Sequence, residues 1–307
     1  MVGAGQDGRD VPAGAVAGGG AVAGRGGEGE AGAHGRAFRW VSGLAAMVGV
    51  VLFGFGLAEI VLMWLSDATL LSLIDHLKPS ELDYRAQFAH VGVVSWALVP
   101  PLVVQLRRPA RRGALVVQAL AVAVGGVVVM TAAGALGIVD VVALAVVVLV
   151  AWLHPCAGVL FQRPRFDGLQ ARVVGVGALP WLVATGFYVH EAWASRGAPG
   201  IADTTPQLLW ANSALVPVII VLLALAGATD HGGWQLPAWT AALAAVDVGA
   251  HSLAFSDQAA SLPAPAAVAA IAWGVAYAAA AVGRSRRSTR AEEPGRGRPG
   301  RRGVTSP

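Results

Sequence analysis

Between Trp40 and Val282 the chain is a series of long apolar stretches separated by short polar loops, and arginines concentrate in every second loop. A helix of about 20 apolar residues crosses the roughly 30 Å hydrocarbon core of a bilayer, and each stretch approaches that length. Basic charge that alternates from loop to loop is typical of helices that cross a membrane back and forth. The pattern predicts an all-α, polytopic transmembrane helix bundle with about eight membrane-spanning helices.

The composition also indicates that a bilayer is the solvent. The chain is 56% hydrophobic and 13% charged, whereas a soluble domain carries about 25% charged residues. Ala, Gly, Val and Arg are abundant. Lys78 is the only lysine and Asn212 is the only asparagine. We interpret this as high-GC codon bias, and therefore expect a protein of the bacterial plasma membrane. Cys156 is the only cysteine, which excludes an intrachain disulfide and a thiolate metal cluster.

The chain divides into two tails and a membrane domain. Residues 1–36 contain 13 glycines and little apolar surface to offset the entropy of ordering, so we predict a disordered Gly/Ala-rich tail without a cleaved signal peptide. Residues 37–283 form the predicted membrane domain, and residues 284–307, with eight arginines, form a second disordered tail. The predicted spans are approximately 40–65, 87–106, 113–133, 137–161, 173–194, 207–228, 237–255 and 264–283.

The basic loops predict the orientation, because Lys and Arg are retained on the cytoplasmic side. The opposite loops carry only Lys78, Arg85 and Arg196, beside several carboxylates. With an even number of spans, both tails are predicted to be cytoplasmic. The arginines of the predicted cytoplasmic loops are Arg36, Arg39, Arg107, Arg108, Arg111, Arg112, Arg163, Arg165 and Arg172.

The longest predicted outer connection, Ser66 to Arg85, has leucines and an isoleucine at roughly helical spacing. Such spacing predicts a short amphipathic helix on the outer surface. Two roles remain open for this helix. It is either an interfacial anchor or a lid over the bundle.

Polar side chains inside spans are costly in hydrocarbon, so they mark a functional site, a buried pair or an aqueous cavity. Most of them fall in the outer half of the predicted spans. Asp247 lies about 15 Å from Pro237, near the midplane, and His251 follows four residues later on the same helix face. The residues assigned to a transport or ion-binding site are Asp247, His251, Glu59, Asn212 and Asp140.

The outer histidines support a second interpretation. Imidazole and carboxylate groups are ligands for Zn²⁺ or Cu²⁺, and two facing histidines can bind a haem iron, although the sequence requires no cofactor. The alternative is that residues near span ends simply lie among headgroups. His154, beside Pro155, is interpreted as satisfying backbone freed by that proline. The predicted metal ligands are His90, His190, His251 and Glu191.

The leading functional hypothesis is a small-solute or ion transporter with a polar site in the outer half of the bundle. The alternatives are a haem- or metal-binding membrane redox protein and a noncatalytic membrane scaffold. No P-loop, GxSxG or HExxH motif occurs, so we do not expect an enzyme. The tail lacks interleaved aromatic residues, so we expect it to bind anionic lipid headgroups and not nucleic acid. The predicted headgroup contacts are Arg284, Arg286, Arg287 and Arg290.

The topology leads to a direct test. A reporter fused after Pro307 is expected to be cytoplasmic, and a cysteine placed at Ser72 is expected to react with a membrane-impermeant maleimide in intact cells. Reaction at position 72 only after cell lysis would overturn the predicted orientation.

Overall fold

The computed structural model describes residues 35–50, 85–106, 109, 112–155, 157–160, 164–198 and 206–292, and it is all-helical over these ranges, with one isolated β-bridge. Glu59, Cys156 and most of the predicted lid segment lie outside the described residues. The helices are α1 (residues 35–50), α2 (Arg85–Gln105), α3 (Gly113–Ala132), α4 (Ile138–Leu153), α5 (Ala157–Leu160), α6 (Gly168–Ala194), α7 (Pro206–Ala228), α8 (Gln235–Ala254) and α9 (Ala264–Glu292).

Among the described residues, four helices are long and apolar enough to cross a membrane, namely α3, α6, α7 and α9. The apolar parts of α2 and α4 are shorter. The side chains of Ile138 on α4 and Val176 on α6 are each 78% exposed, and Leu179 is 69% exposed. Broad exposure of large apolar side chains is unfavourable in water but is expected against lipid. The described part of the chain is therefore a membrane-embedded helical bundle.

Helix α7 forms the centre of the bundle. It packs against α2, α3, α6 and α8, and the side chains of Ile219, Ile220 and Leu223 have no exposed surface. Pro206 begins the helix, where its missing N–H is not needed. The other helices surround α7, with α4 on the far side of α3 and α9 in contact with both α8 and α6.

Helices α8 and α9 approach each other closely through two glycines. A Cβ atom on Gly249 would lie 2.5 Å from the carbonyl oxygen of Ala267, and one on Gly274 would lie 2.7 Å from that of Ala242. Both distances are shorter than real Cβ contacts, so this backbone spacing requires glycine. Such close contact is a principal source of helix association in a bilayer, where burial of apolar surface gives little driving force.

Two helix ends differ from the sequence prediction. Span four was expected to continue to residue 161, but α4 ends at Leu153, and His154 has extended backbone angles of φ −64° and ψ 133°. Pro155 explains this, because a proline disfavours the helical conformation in the residue before it. The C-terminal tail was expected to begin at residue 284, but α9 continues to Glu292. The contacts that support this extension are made by Arg284 and Arg287.

The glycine contacts predict that adding one methyl group destabilises the protein at Gly274 but not at Gly175. Gly274→Ala is expected to lower the free energy of unfolding by about 1–3 kcal/mol, because the α8 backbone cannot move aside. Gly175→Ala on α6 is the control, since its Cβ would meet nothing within 4 Å, and it is expected to change stability by less than about 0.5 kcal/mol. Thermal denaturation in detergent measures both, and equal losses would contradict the packing account.

Candidate functional site

Two buried histidines lie at one end of the bundle. His90 on α2 is 4% exposed and His251 on α8 is 3% exposed. The two imidazoles are close enough to interact electrostatically, although 161 positions separate them in the sequence. We call this end, which also carries Tyr188 and Ser213, the histidine end. Its fully described loops, residues 133–137 and 255–263, are two of the loops that were predicted to lie outside.

Ser213 on α7 orients the ring of His90. Its Oγ lies 3.0 Å from His90 Nδ1 and also donates to the carbonyl of Leu209 at 3.1 Å. A hydroxyl has one hydrogen, so when Ser213 donates to Leu209 it accepts a hydrogen bond from His90 Nδ1–H. This assigns the proton of the neutral ring to Nδ1 and leaves the lone pair on Nε2. His90 can therefore bind a proton or a cation at Nε2 without breaking the Ser213 contact.

Aromatic rings surround the pair. The ring centroid of Tyr188 on α6 lies 6.1 Å from that of His90 and 6.0 Å from that of Trp210. The ring of Phe255, one turn after His251, lies 4.6 Å from it. None of Tyr188, Ser213 and Trp210 is among the site residues that the sequence analysis predicted. The sequence does show that Tyr188 and Ser213 place a hydroxyl in an apolar span. It does not show which neighbouring helix that hydroxyl contacts.

The structure brings together only part of the predicted site. Asp247 lies one turn before His251 on α8 and is half-buried, as is Asn212, which is adjacent to Ser213 on α7. Asp140 has a different role. Its carboxylate accepts a hydrogen bond from Gly137 N–H at 2.9 Å, so it caps the start of α4. This capping contact is the one that the structure shows for Asp140, which was predicted to be an ion-binding residue.

The predicted set of four metal ligands is not assembled. His190 is exposed, because it lies about 200° around α6 from the buried Tyr188. Glu191 is half-buried near the end of α6. Within the ranges that the structure describes, no three His, Cys, Asp or Glu side chains are grouped to hold a metal ion. His90 and His251 remain as a pair.

His154 was predicted to satisfy the backbone freed by Pro155, but its imidazole contacts other segments of the chain. It is buried, its ring lies 5.2 Å from that of Phe38 in an edge-on contact, and it hydrogen-bonds to the backbone of Pro109. It therefore joins the end of α4 to α1 and to the connection between α2 and α3.

The opposite end of the bundle is held together by Arg284, and we call it the arginine end. The Arg284 guanidinium donates to Gln170 Oε1 at 2.9 Å, to the Gly227 carbonyl at 3.1 Å and to the Thr229 carbonyl at 2.8 Å. It also lies 4.0 Å above the ring of Trp234. The Gly227 and Thr229 carbonyls are at the C-terminus of α7, where a positive charge is favourable. One side chain of α9 thus connects α6, α7 and the start of α8.

The predicted cytoplasmic loops meet at the arginine end. The N–H of Asp167, before α6, donates to the Ala228 carbonyl at 2.8 Å. The N–H of Ala114, at the start of α3, donates to the Gly232 carbonyl at 3.1 Å. The loops that were grouped by their charge, together with the connection between α7 and α8, are therefore neighbours in space.

Asp167 links this end to the C-terminal part of α9. Its partial burial raises the carboxyl pKa, but the Gln170 N–H, the Arg287 ion pair at 3.0 Å and the Arg284 charge together hold the pKa below its usual value. Arg284, which was predicted to be a headgroup contact, is half-buried and donates to protein carbonyls. Arg287 is exposed but paired, and Arg286 is exposed. The side chain of Arg290 lies outside the described residues.

No family model matches the chain, and no curated protein or solved structure is similar to it. The function is therefore inferred from the geometry of the site.

The Arg284 contacts predict a large effect on stability. Arg284→Gln is expected to lower the free energy of unfolding in detergent by about 2 kcal/mol, because three carbonyl or amide oxygens lose a charged donor. Arg286→Gln is the control, since the Arg286 side chain is exposed, and it is expected to have an effect below about 0.5 kcal/mol. A change of similar size in both variants would show that Arg284 is not a structural link.

Proposed function

We propose that this chain is an eight-span protein of the bacterial plasma membrane with both termini in the cytoplasm. The alternating arginine loops support this topology, as does the meeting of those loops at one end of the bundle. Helix α8 has 20 residues and is less apolar than the four long spans, but α7 and α9 pack along it. The exposed Arg286 is available to anionic headgroups of the inner leaflet.

We further propose that the protein transports a small solute or an ion, with His90 and His251 as the proton- or cation-binding groups. The observation that carries this proposal is that two buried imidazoles, one on α2 and one on α8, lie at the same end of the bundle and within electrostatic reach of each other. An intramembrane ionisable group is costly and is typical of an ion or proton pathway. Asp247, one turn along α8 from His251, supplies a carboxylate that offsets a positive charge bound nearby.

Two of the helices at the site, α2 with His90 and α7 with Ser213, have interior prolines that interrupt their backbone hydrogen bonds. Pro217 on α7 removes the N–H that would otherwise bind the carbonyl of Ser213, the partner of His90. Pro101 on α2 does the same to Ala97, and Gln118 of α3 donates its amide to that carbonyl at 2.8 Å. Freed carbonyls beside ionisable groups are typical of transporter sites.

A haem- or metal-binding redox protein is the second candidate, and the Ser213 contact favours it. A metal-binding histidine usually donates its second ring N–H to a neighbouring oxygen, as His90 Nδ1 does to Ser213. Two imidazoles without a third grouped ligand suit the two axial positions of a haem better than a zinc site. An absorption spectrum of the purified protein decides this, because a Soret band lost in His90→Ala would replace the transport proposal.

The transport proposal is tested with protein in liposomes that contain a pH-sensitive dye. Candidate ions and small solutes are added outside, and the coupled proton flux is recorded. Asp247→Asn is expected to reduce the flux severalfold with the fold intact, since an amide is nearly isosteric and cheaper to bury than a charge. His251→Ala is expected to change the pH dependence of the flux, because the variant lacks one of the two imidazoles that are proposed to bind the proton.

Asp140→Asn is the matched control, because Asp140 caps α4, whose main packing partner is α3 and not the helices of the two histidines. Its flux is expected to equal that of the wild type. A wild-type flux and pH profile in Asp247→Asn and His251→Ala would refute the assignment of the site.

A further inference from the structure

The α8–α9 loop, residues 255–263, contacts His251 directly and is linked to His90 through Tyr188. The loop begins at Phe255, whose ring is 4.6 Å from that of His251. Its Ala260 contacts Tyr188, the residue whose ring is next to His90. Both histidines are at most 4% exposed, so a solute or proton that reaches them from this end requires the covering groups to move.

Two hydrogen bonds tie the loop to the helices that carry the site. The Tyr188 hydroxyl donates to the Ala260 carbonyl at 2.8 Å, and the Leu262 N–H donates to Ser252 Oγ at 3.0 Å. Tyr188, Ala260 and Ser252 are all buried. Both ties are bonds between neutral groups, which are weaker than charge-assisted ones.

The loop is held in a strained conformation. Ala260 has a φ of +67°, and no other non-glycine residue in the described ranges has a positive φ. The left-handed conformation is unfavourable for alanine because its Cβ atom crowds the following carbonyl oxygen. A strained residue persists only where its surroundings hold it in place, and the Tyr188 contact to the carbonyl of this same residue does so.

We propose that the α8–α9 loop is a lid over the histidine pair and that Tyr188 is its latch. The lid opens when the Tyr188 and Ser252 bonds break, and the strain at Ala260 is released in the same step. The transport role of the lid rests on the proposed function. The opening itself does not, because it is a property of these contacts alone.

The test measures how often the lid opens. The native Cys156 is replaced by Ser, and a reporter cysteine is placed at Val248, which is buried one turn inward of His251 and Ser252. Ala211, buried on α7 beside the site, is the second reporter position. The rate of reaction with a water-soluble maleimide is then recorded in detergent, where it follows the population of the open state.

Tyr188→Phe removes only the latch hydroxyl and is expected to raise the labelling rate about fivefold at both reporters. Ser252→Ala is expected to have a similar effect, and the two together about 25-fold, since independent bonds add in free energy. Tyr277→Phe is the matched control. Tyr277 is also buried and its hydroxyl donates to a carbonyl, that of Ala224 on α7, so the rate is expected to remain at the wild-type value.

Unchanged labelling in the Tyr188 and Ser252 variants would overturn the lid, and so would an equal rise in Tyr277→Phe, which would indicate general loosening. The outcome is separate from that of the flux experiment. If labelling responds as expected but the Asp247 and His251 variants retain wild-type flux, the lid stands and the transport site does not.

Discussion

The fold depends on how closely α7 and its neighbours can approach. Lipid is as apolar as the side chains, so bringing helices together gains little from the hydrophobic effect and relies on contact between surfaces of matching shape. A Cβ atom on Gly227 of α7 would lie 2.7 Å from the Cα atom of Ala238 on α8. Gly249 and Gly274 extend the same close packing to α9. The buried central helix, the position of α8 and the depth of the histidine pair all follow from this spacing.

The sequence predicted the helices better than it predicted their partners. Apolar length is a property of one segment, so most described helices fall within a few residues of the predicted spans. The ends that differ depend on local or tertiary effects, such as the restriction that Pro155 places on His154 and the carbonyls that Arg284 meets. His90 and His251 were identified because ionisable groups are rare in spans. Their proximity, and the roles of Ser213 and Tyr188, depend on how neighbouring helices are rotated and aligned. The apolar pattern of a single segment does not determine that arrangement. For the same reason the exposed His190 was grouped with them.

The two ends of the bundle are held by different kinds of bond. At the arginine end, the Arg284 guanidinium gives three charge-assisted hydrogen bonds and a cation–π contact, each stronger than a bond between neutral groups. At the histidine end, the α8–α9 loop is tied by one tyrosine hydroxyl and one serine oxygen, with Ala260 strained. Displacement of the α8–α9 loop at the histidine end therefore breaks weaker bonds than release of Arg284 at the arginine end.

The packing of α8 on α9 limits the form that this opening takes. Gly249 faces the backbone of Ala267, and Gly274 faces that of Ala242, so the two helices touch along most of their shared length. Separating them would break many close contacts at once, and Arg284 would also have to leave its carbonyls if α9 rotated away. Displacing the loop that joins them breaks the Tyr188 and Ser252 bonds and relaxes Ala260, while the close α8–α9 backbone contacts stay in place. The smallest motion that exposes His251 is therefore movement of the loop over two helices that stay together, and the rigidity of the glycine contact confines the motion to the loop.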